Sequence, residues 1–432
     1  MPRFDVYRPA VWGLALALAA LASPRGAAAE VQVGELVTKA TAGKVKGLVS
    51  DGVQYCVDHG MNMQIVPYEK IPMPQIYEEA TEKYAAQVKL NPDTTLEGYV
   101  AGRPFPIIDF ENDPQAAIKV MHNFQLTHYF TDDLALNLFD ADTGAIETSH
   151  DGKRRYNVER HFVLDWLRVL QFTGRLVVDP KPTLEPNDDK TFRKAGLYPV
   201  IEPFDLKGIG GINYRYLDPL RQDDLWLYIP SLRRVRRLSS AQRSEALFGQ
   251  DVDVDSYGGY AGQIPWFDWK YLGKKPMLAS LHGSNMPPVP CEEDGHVTFC
   301  ENWEMRSEVL IIEGIPKAAA YAFSKRVIFV DLESYFIIYS DLYDRGGELW
   351  KVVMQNIRTD KRPNPKVAFE YDAPRMFIYG FTVVDMQLQH GTRVAIPGMA
   401  FQDEPGWYID VGAKYGGEES WFTIAALIRG GH

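Results

Sequence analysis

Apolar and polar side chains alternate most regularly between Gly211 and Leu238. Ile212, Tyr214 and Tyr216 occupy alternate positions of an extended segment, a period of two that is typical of a half-buried strand. A second alternating run follows over residues 225–229, and a third segment covers Arg233–Leu238. The prolines between the runs interrupt the pattern because proline removes a backbone donor. The pattern therefore predicts three antiparallel strands joined by turns.

The large aromatic residues in and just after these strands allow two interpretations. They either fill a core, which is the commoner role of such residues, or form the wall of a ligand cavity. The candidate ligand contacts are Tyr214, Tyr216, Trp226, Tyr228, Trp266 and Trp269.

A second series of strands is predicted towards the C-terminus. Short apolar runs at Val327–Val330 and Tyr335–Tyr339 have no polar face, which fits a sheet that helices cover on one side and that closes over something apolar on the other. Asp344-Arg345-Gly346-Gly347 is a hairpin loop between two of the strands. The predicted strands are Arg306–Glu313, Lys325–Leu332, Tyr335–Leu342, Leu349–Ile357, Met376–Gln387 and Trp407–Val411.

Helical patterns are confined to the N-terminal part of the chain. Val33–Ala42 predicts a short helix, and Tyr68–Asn91 becomes helical after Pro74. Asp113 is placed to cap a third helix that begins at Pro114 and has an apolar stripe typical of core packing. His122 and His128 are placed on this helix six residues apart, which favours structural roles over metal binding. Asn157–Leu170 fits either a helix or a long strand.

The first 29 residues have the features of a cleaved secretory signal. Arg3 and Arg8 precede an apolar run over Ala10–Ala22, which is shorter than the ~20 residues of a spanning helix. Ala27-Ala28-Ala29 supplies the small residues of a cleavage site, and no cysteine follows closely that could carry a lipid. We expect an exported, soluble protein that is not lipid-anchored.

Net charge limits the classes of partner, and the cysteines indicate which disulfide can form. The chain has 46 Lys and Arg against 57 Asp and Glu, a net charge of −11, which disfavours nucleic acid and anionic bilayers as partners. In an oxidising compartment Cys291 and Cys300 are expected to form a disulfide across a long or bulged loop. Cys56 has no evident partner and is expected to be a buried apolar residue.

Known catalytic motifs are missing from the sequence. It contains no HExxH, Walker A or GxSxG pattern, and Gly208–Gly211 lacks the third glycine of a dinucleotide loop. We therefore assign no catalytic residue, cofactor or metal and expect a protein that is not an enzyme.

Two charged runs have competing interpretations. Asp251, Asp253 and Asp255 begin like a calcium loop, but Ser256 and Gly262 stand where that loop needs glycine and glutamate. We favour ion pairs between these aspartates and a nearby arginine run. That run, Arg233, Arg234, Arg236 and Arg237, serves either such pairing or the docking of a partner or lipid headgroup.

Three sequence blocks together resemble the DUF1329 family of exported bacterial proteins, which is grouped with the LolA/LolB-like lipoprotein carriers. The blocks are GYVAGRPFPIIDFENDPQAAIKVMHNF, YRYLDPLRQDDLWLYIPSLRRVRRLS with DVDVDSYGGYAGQIPWFDWKYLGKK, and RVIFVDLESYFIIYSDLYDRGGELWKVVMQNI. The resemblance extends over essentially the whole chain after the signal.

The resemblance implies an α+β fold: a large antiparallel, unclosed β-barrel, or LolA-like half-barrel, with helices covering its concave face. Residues 30–432 would form a single domain with a helix-rich N-terminal part and a strand-rich C-terminal part. It also implies a periplasmic carrier for a lipid or other hydrophobic molecule, working with an RND-type inner-membrane transporter and a DUF1302-type outer-membrane protein. The alternatives are a hydrolase acting on an envelope or hydrophobic substrate and a structural adaptor between transport components.

Overall fold

A computed structural model describes residues 31–238, 243–246 and 248–430. The predicted signal peptide, residues 1–29, lies outside the described residues. The residues from Val31 onward group into one compact unit.

Within the described ranges, helices are few and strands dominate. The helices are α1 (Asp51–Asp58), α2 (Gln75–Tyr84), α3 (Ala116–Gln125) and α4 (Ile424–Gly430). The strands are β1 (Leu36–Val37), β2 (Met63–Val66), β3 (Lys89–Leu90), β4 (Leu96–Glu97), β5 (Asp133–Thr148), β6 (Arg154–Gln171), β7 (Thr191–Leu197), β8 (Val200–Glu202), β9 (Gly210–Tyr216), β10 (Asp224–Ile229), β11 (Arg234–Leu238), β12 (Phe267–Ala279), β13 (Glu301–Pro316), β14 (Lys325–Asp331), β15 (Ile337–Tyr343), β16 (Leu349–Asp360), β17 (Arg375–Asp385), β18 (His390–Ala395) and β19 (Trp407–Ile409).

Most of these strands form one large antiparallel sheet. Its neighbours in space run β12, β13, β14, β15, β16, β17, β18, β5, β6, β7, β9, β10 and β11. β18 joins the C-terminal strands to β5, so the two halves of the chain share one sheet. β2 pairs in parallel with the start of β13, and β8 and β19 add to β6 and β5.

The sheet is unclosed, because its outer strands β11 and β12 each pair with one neighbour among the described residues. Both edges carry charge: the arginines of β11 are exposed, and so are Lys270 and Lys274 of β12. Charged edge strands resist pairing with other chains. The predicted large, antiparallel, unclosed sheet is thus confirmed.

The strand predictions agree with the structure more closely than the helix predictions. The three strands predicted over 211–238 are β9, β10 and β11, and residues 157–170 lie in β6, the strand alternative. The helix predicted at Val33–Ala42 is wrong, because Val37 pairs with Met63 of β2 and a 3-10 segment begins only at Lys39. His128 lies beyond the end of α3, so the prediction that both histidines share that helix is also wrong.

Candidate functional site

A largely buried segment that contains no strand or α-helix precedes β12. We call residues 248–266 the internal segment; it contains two 3-10 turns, Val254–Ser256 and Ile264–Trp266. Most of its residues are buried, and Gly249 alone among them is exposed. Since buried backbone and polar groups must find partners, a segment of this kind needs specific anchors.

Aromatic contacts supply one set of anchors. The Tyr257 ring packs against Phe139 of β5 and Phe381 of β17, with ring centroids 6.3 and 5.7 Å away. Phe248 stacks on Phe162 of β6 at 5.9 Å. Aromatic pairs at these separations add to the free energy gained by burying their area. The internal segment therefore packs on one face of β5, β6 and β17.

The three aspartates of the internal segment supply the polar anchors. Asp251 accepts hydrogen bonds from Thr392 Oγ1 and His390 Nδ1, each at 2.9 Å. An Asp253 oxygen lies 4.0 Å from Arg326 Nη2, and an Asp255 oxygen lies 2.7 Å from Arg243 Nη2. Charge pairing was the interpretation that the sequence favoured, but the partners come from elsewhere in the chain than Arg233, Arg234, Arg236 and Arg237.

Two pKa shifts accompany these contacts. The hydrogen bond to Asp251 raises the pKa of His390, against the opposing effect of burial. Burial raises the pKa of Asp253, and the nearby Arg326 lowers it. Below its raised pKa, His390 is protonated and its pair with Asp251 is a charge-assisted hydrogen bond.

A cavity of about 430 Å³ lies at the Asp251 end of the internal segment. Its charged side chains include Lys351, whose Nζ donates to the Asp251 carbonyl oxygen at 3.0 Å and lies 3.5 Å from Asp385 Oδ2. The apolar part of the lining consists of Phe323, Leu342, Trp350 and Leu388. The lining of this larger cavity therefore combines buried charged groups with apolar side chains.

A smaller cavity of about 260 Å³ lies at the other end, beside Gln263, Ile264 and Pro265. Residues 94–99 and the C-terminal end of α3 contribute to its lining, as do the start of β7 at Phe192 and the end of β9 at Tyr216. His122 faces this cavity with Nε2 2.8 Å from the Thr94 carbonyl oxygen, and burial lowers its pKa to about 4. His122 is therefore neutral at pH 7. The apolar or aromatic lining consists of Leu96, Tyr99, Leu126, Phe192, Tyr216, Leu217, Pro219, Ile264 and Pro265.

The six aromatic candidates do not converge on one place. Tyr216 lines the smaller cavity, and its hydroxyl donates to Asp224 at 2.7 Å. Tyr214, Trp226 and Tyr228 belong to a separate cluster, packed with Tyr198, Trp421 and Leu427 near the C-terminus. Their role as ligand contacts stays a prediction.

The two remaining candidates lie where the internal segment meets β12. The Trp266 ring lies 5.0 Å from the Arg243 guanidinium and 5.9 Å from that of Arg215. Trp269 is in the core beside Phe267, and its indole donates to the Ile264 carbonyl oxygen at 2.8 Å. Both tryptophans thus hold the end of the internal segment where the smaller cavity begins.

The candidate docking arginines lie on the outer edge of the sheet. All four are exposed, and Arg237 forms an ion pair with Asp224. Arg233 has a left-handed backbone with φ of 48°, at the turn between β10 and β11. Docking at these residues stays a prediction.

The three cysteines are arranged as the sequence predicts. Cys291 and Cys300 form a disulfide, and Cys56 is buried in α1, where burial raises the pKa of its thiol. Among the residues that the structure describes, no helix is both long enough and apolar enough to span a membrane.

Comparison with known proteins identifies the family. The family model described as "Protein of unknown function (DUF1329)" matches residues 36–427, and the chain belongs to that family. An uncharacterized protein of Pseudomonas aeruginosa is 24% identical over 304 residues, which cover 66% of this chain and 61% of that protein. The chain thus matches about six-tenths of the length of this relative.

Two solved structures are also similar. A DUF1329 family protein from Desulfovibrio piger aligns with 16% identity over 69% of this chain and 92% of that one, with a TM-score of 0.43. A LolA superfamily protein from Nitrosomonas europaea aligns with 12% identity over 65% and 90% of the two chains, with a TM-score of 0.35.

Proposed function

We propose that this protein is a periplasmic binding or carrier protein for a lipid or another hydrophobic molecule, and that the smaller cavity holds its apolar part. The lining of that cavity carries the proposal. Apolar and aromatic side chains dominate it, with a few polar groups such as His122, Gln125 and Gln263 among them. Binding sites for small molecules have this composition.

The size of the smaller cavity limits what it can hold. Its volume of about 260 Å³ is just below the range of roughly 300–1,000 Å³ that is usual for small-molecule sites. A short acyl segment or one ring system fits, and a long lipid chain needs further space. Movement of the internal segment away from the sheet would provide that space.

We further propose that α3 and the internal segment together cover the concave face of the sheet. Phe124 of α3 lies against Phe336, with ring centroids 6.5 Å apart, and Tyr257 of the internal segment contacts Phe139 of β5 and Phe381 of β17. A cover of this kind would shelter an apolar ligand from water while leaving the polar ends of the cavities accessible.

The proposal also includes the place where the protein acts and the proteins that it contacts. The protein would act between an RND-type inner-membrane transporter and a DUF1302-type outer-membrane protein, with the exposed arginines of β11 and the preceding turn as its docking surface. The family resemblance and the exposure of those arginines support this arrangement.

The larger cavity favours one alternative, a hydrolase. It brings Asp251, His390 and Lys351 to one wall, and an imidazole hydrogen-bonded to a carboxylate is a common general base. Turnover of ester substrates that is lost in His390→Gln would favour this alternative. Unchanged turnover in the variant would exclude His390 as the base.

The proposal is tested by recovering the ligand. Protein purified from its native periplasm is extracted with organic solvent, and the extract is compared by mass spectrometry with that of another periplasmic protein from the same cells. We expect one class of apolar molecule to be enriched. An extract that matches the comparison protein, together with no uptake of a fluorescent fatty acid, would contradict the proposal.

A further inference from the structure

Three side chains on two neighbouring strands bring metal-binding atoms together away from both cavities. Asp140 and Asp142 lie two residues apart on β5, and His161 of β6 is the direct cross-strand partner of Asp142. His161 Nδ1 lies 3.0 Å from Asp142 Oδ1 and 3.4 Å from Asp140 Oδ1. One donor atom from each of the three residues lies within 4.8 Å of the other two.

The 3.4 Å separation between His161 and Asp140 matches that between two ligands of one ion, and the 3.0 Å separation between His161 and Asp142 is shorter. A tetrahedral zinc ion with bonds of about 2.0–2.2 Å separates its ligand atoms by roughly 3.3–3.6 Å. The donor set also contains an imidazole, which sets it apart from a patch of carboxylates. Nitrogen with carboxylate oxygen suits zinc and other first-row transition metals, whereas calcium and magnesium prefer oxygen alone.

The surroundings hold these side chains in place. Gly398 leaves room for Asp140, because a Cβ atom at residue 398 would lie 2.2 Å from Asp140 Oδ2. Arg393 Nη2 lies 2.9 Å from Asp142 Oδ2, on the oxygen that does not face His161. Asp142 Oδ1, the oxygen that Arg393 does not contact, shares a hydrogen bond with His161 Nδ1, and a bound ion would replace the proton between these two atoms.

A third carboxylate lies behind the imidazole. Glu202 of β8 is on the same face of the sheet, opposite Val163, and its Oε2 is 3.9 Å from His161 Nε2. A histidine that binds a metal through one nitrogen commonly has a carboxylate next to the other, which orients the ring. Glu202 is placed for this positioning role.

The geometry points to a site for one divalent transition-metal ion, best matched by Zn²⁺, with Asp140, Asp142 and His161 as ligands and Glu202 as the positioning residue. The ion would join β5 and β6. It would also balance three converging carboxylates that otherwise share His161 and Arg393 as cations. The site is reachable from solvent, because the His161 side chain is 43% exposed and the Asp142 side chain 20%.

The test is metal binding by untagged, full-length mature protein after dialysis against a chelator. Equilibrium dialysis with Zn²⁺ is expected to give one tightly bound ion per chain, and Co²⁺ is expected to give the visible spectrum of a site with nitrogen and oxygen ligands. His161→Gln and Asp140→Asn should each weaken Zn²⁺ binding at least tenfold, and Glu202→Gln less. His150→Gln is the matched control, since His150 is an exposed histidine of the neighbouring loop.

Three outcomes would overturn the proposal. They are failure of the unsubstituted protein to bind Zn²⁺, unchanged affinity in both His161→Gln and Asp140→Asn, and tighter binding of Ca²⁺ than of Zn²⁺. Circular dichroism checks that each variant is folded. Two variants at different ligands keep the result interpretable if one of them fails to fold.

Discussion

Arg215 of β9 and Asp223 form a buried ion pair with two-point contact. Arg215 Nη2 donates to Asp223 Oδ2 at 2.7 Å and Nε donates to Oδ1 at 3.2 Å, and both side chains are 1% exposed. The same guanidinium reaches the Gly262 carbonyl oxygen at 3.4 Å, so the pair ties the internal segment to β9. Arg243 Nη1 lies 3.3 Å from the same oxygen, Asp223 Oδ2.

We expect Asp223→Asn to lower the free energy of unfolding by about 3–5 kcal/mol, because it leaves buried arginine charge uncompensated. Replacing both partners, as in Arg215→Met with Asp223→Leu, should cost less than Asp223→Asn alone. Denaturant unfolding measures the free energy of unfolding of the single and the double variant. Asp188→Asn, an exposed aspartate, is the control; equal midpoints for Asp223→Asn and this control would show that the pair is not needed for stability.

Asp341 of β15 makes stability depend on pH. Burial raises its pKa from 3.8 to about 7, against hydrogen bonds from Ser50 Oγ and the Gly52 amide that lower it. The folded state therefore binds a proton more tightly than the unfolded chain between about pH 4 and 7. The contribution of Asp341 to stability is complete below the unfolded pKa and is lost as pH rises through 7, by at most about 1.4 kcal/mol per pH unit.

Asp341→Asn should remove this pH dependence, since asparagine does not titrate. The difference in free energy of unfolding between the variant and the unsubstituted protein should shift in favour of the variant as pH rises from 4 to 8. Altered hydrogen bonds in the variant add a difference that does not depend on pH. Urea midpoints at several pH values measure the difference. Asp268→Asn, on an exposed side chain, serves as control, and a parallel pH profile for Asp341→Asn would refute the assignment.

The proposed docking surface on β11 can be tested by reversing the charge of its arginines. Arg234→Glu combined with Arg236→Glu should abolish capture of the RND-type transporter or the DUF1302-type protein, because reversed charge repels an acidic partner surface. Lys270→Glu with Lys274→Glu on the opposite edge is the matched control. Co-purification from cells that express both proteins measures capture; retained capture by the arginine variant would exclude this docking surface.

Much of the sheet could be predicted from the sequence, because its strands alternate or are apolar throughout. β9, β10, β14 and β15 show these patterns locally. Val33–Ala42 could not be assigned in this way, since Val37 is extended only because it pairs with a strand more than twenty residues later. The choice between helix and strand at β6 is likewise settled by its long pairing with β5.

The candidate site was predictable only in part. The aspartates of the internal segment stand out in the sequence, and ion pairing was the favoured role. Their partners Arg326 and His390 lie more than 70 residues away, so no local spacing indicates them. The smaller cavity combines α3, β7, β9 and the internal segment, and of the six predicted aromatic contacts it contains Tyr216.

The central claim, that the smaller cavity binds an apolar molecule, is tested most directly by filling that cavity. Leu96 lines it, so Leu96→Trp places a bulky ring in a space of about 260 Å³, whereas Leu272→Trp adds the same ring on β12, where Leu272 is exposed. The measurement is the affinity for a fluorescent fatty acid. We predict that Leu96→Trp weakens binding at least tenfold, about 1.4 kcal/mol, and that Leu272→Trp leaves it unchanged. Equal affinity in Leu96→Trp and the unsubstituted protein would contradict the claim.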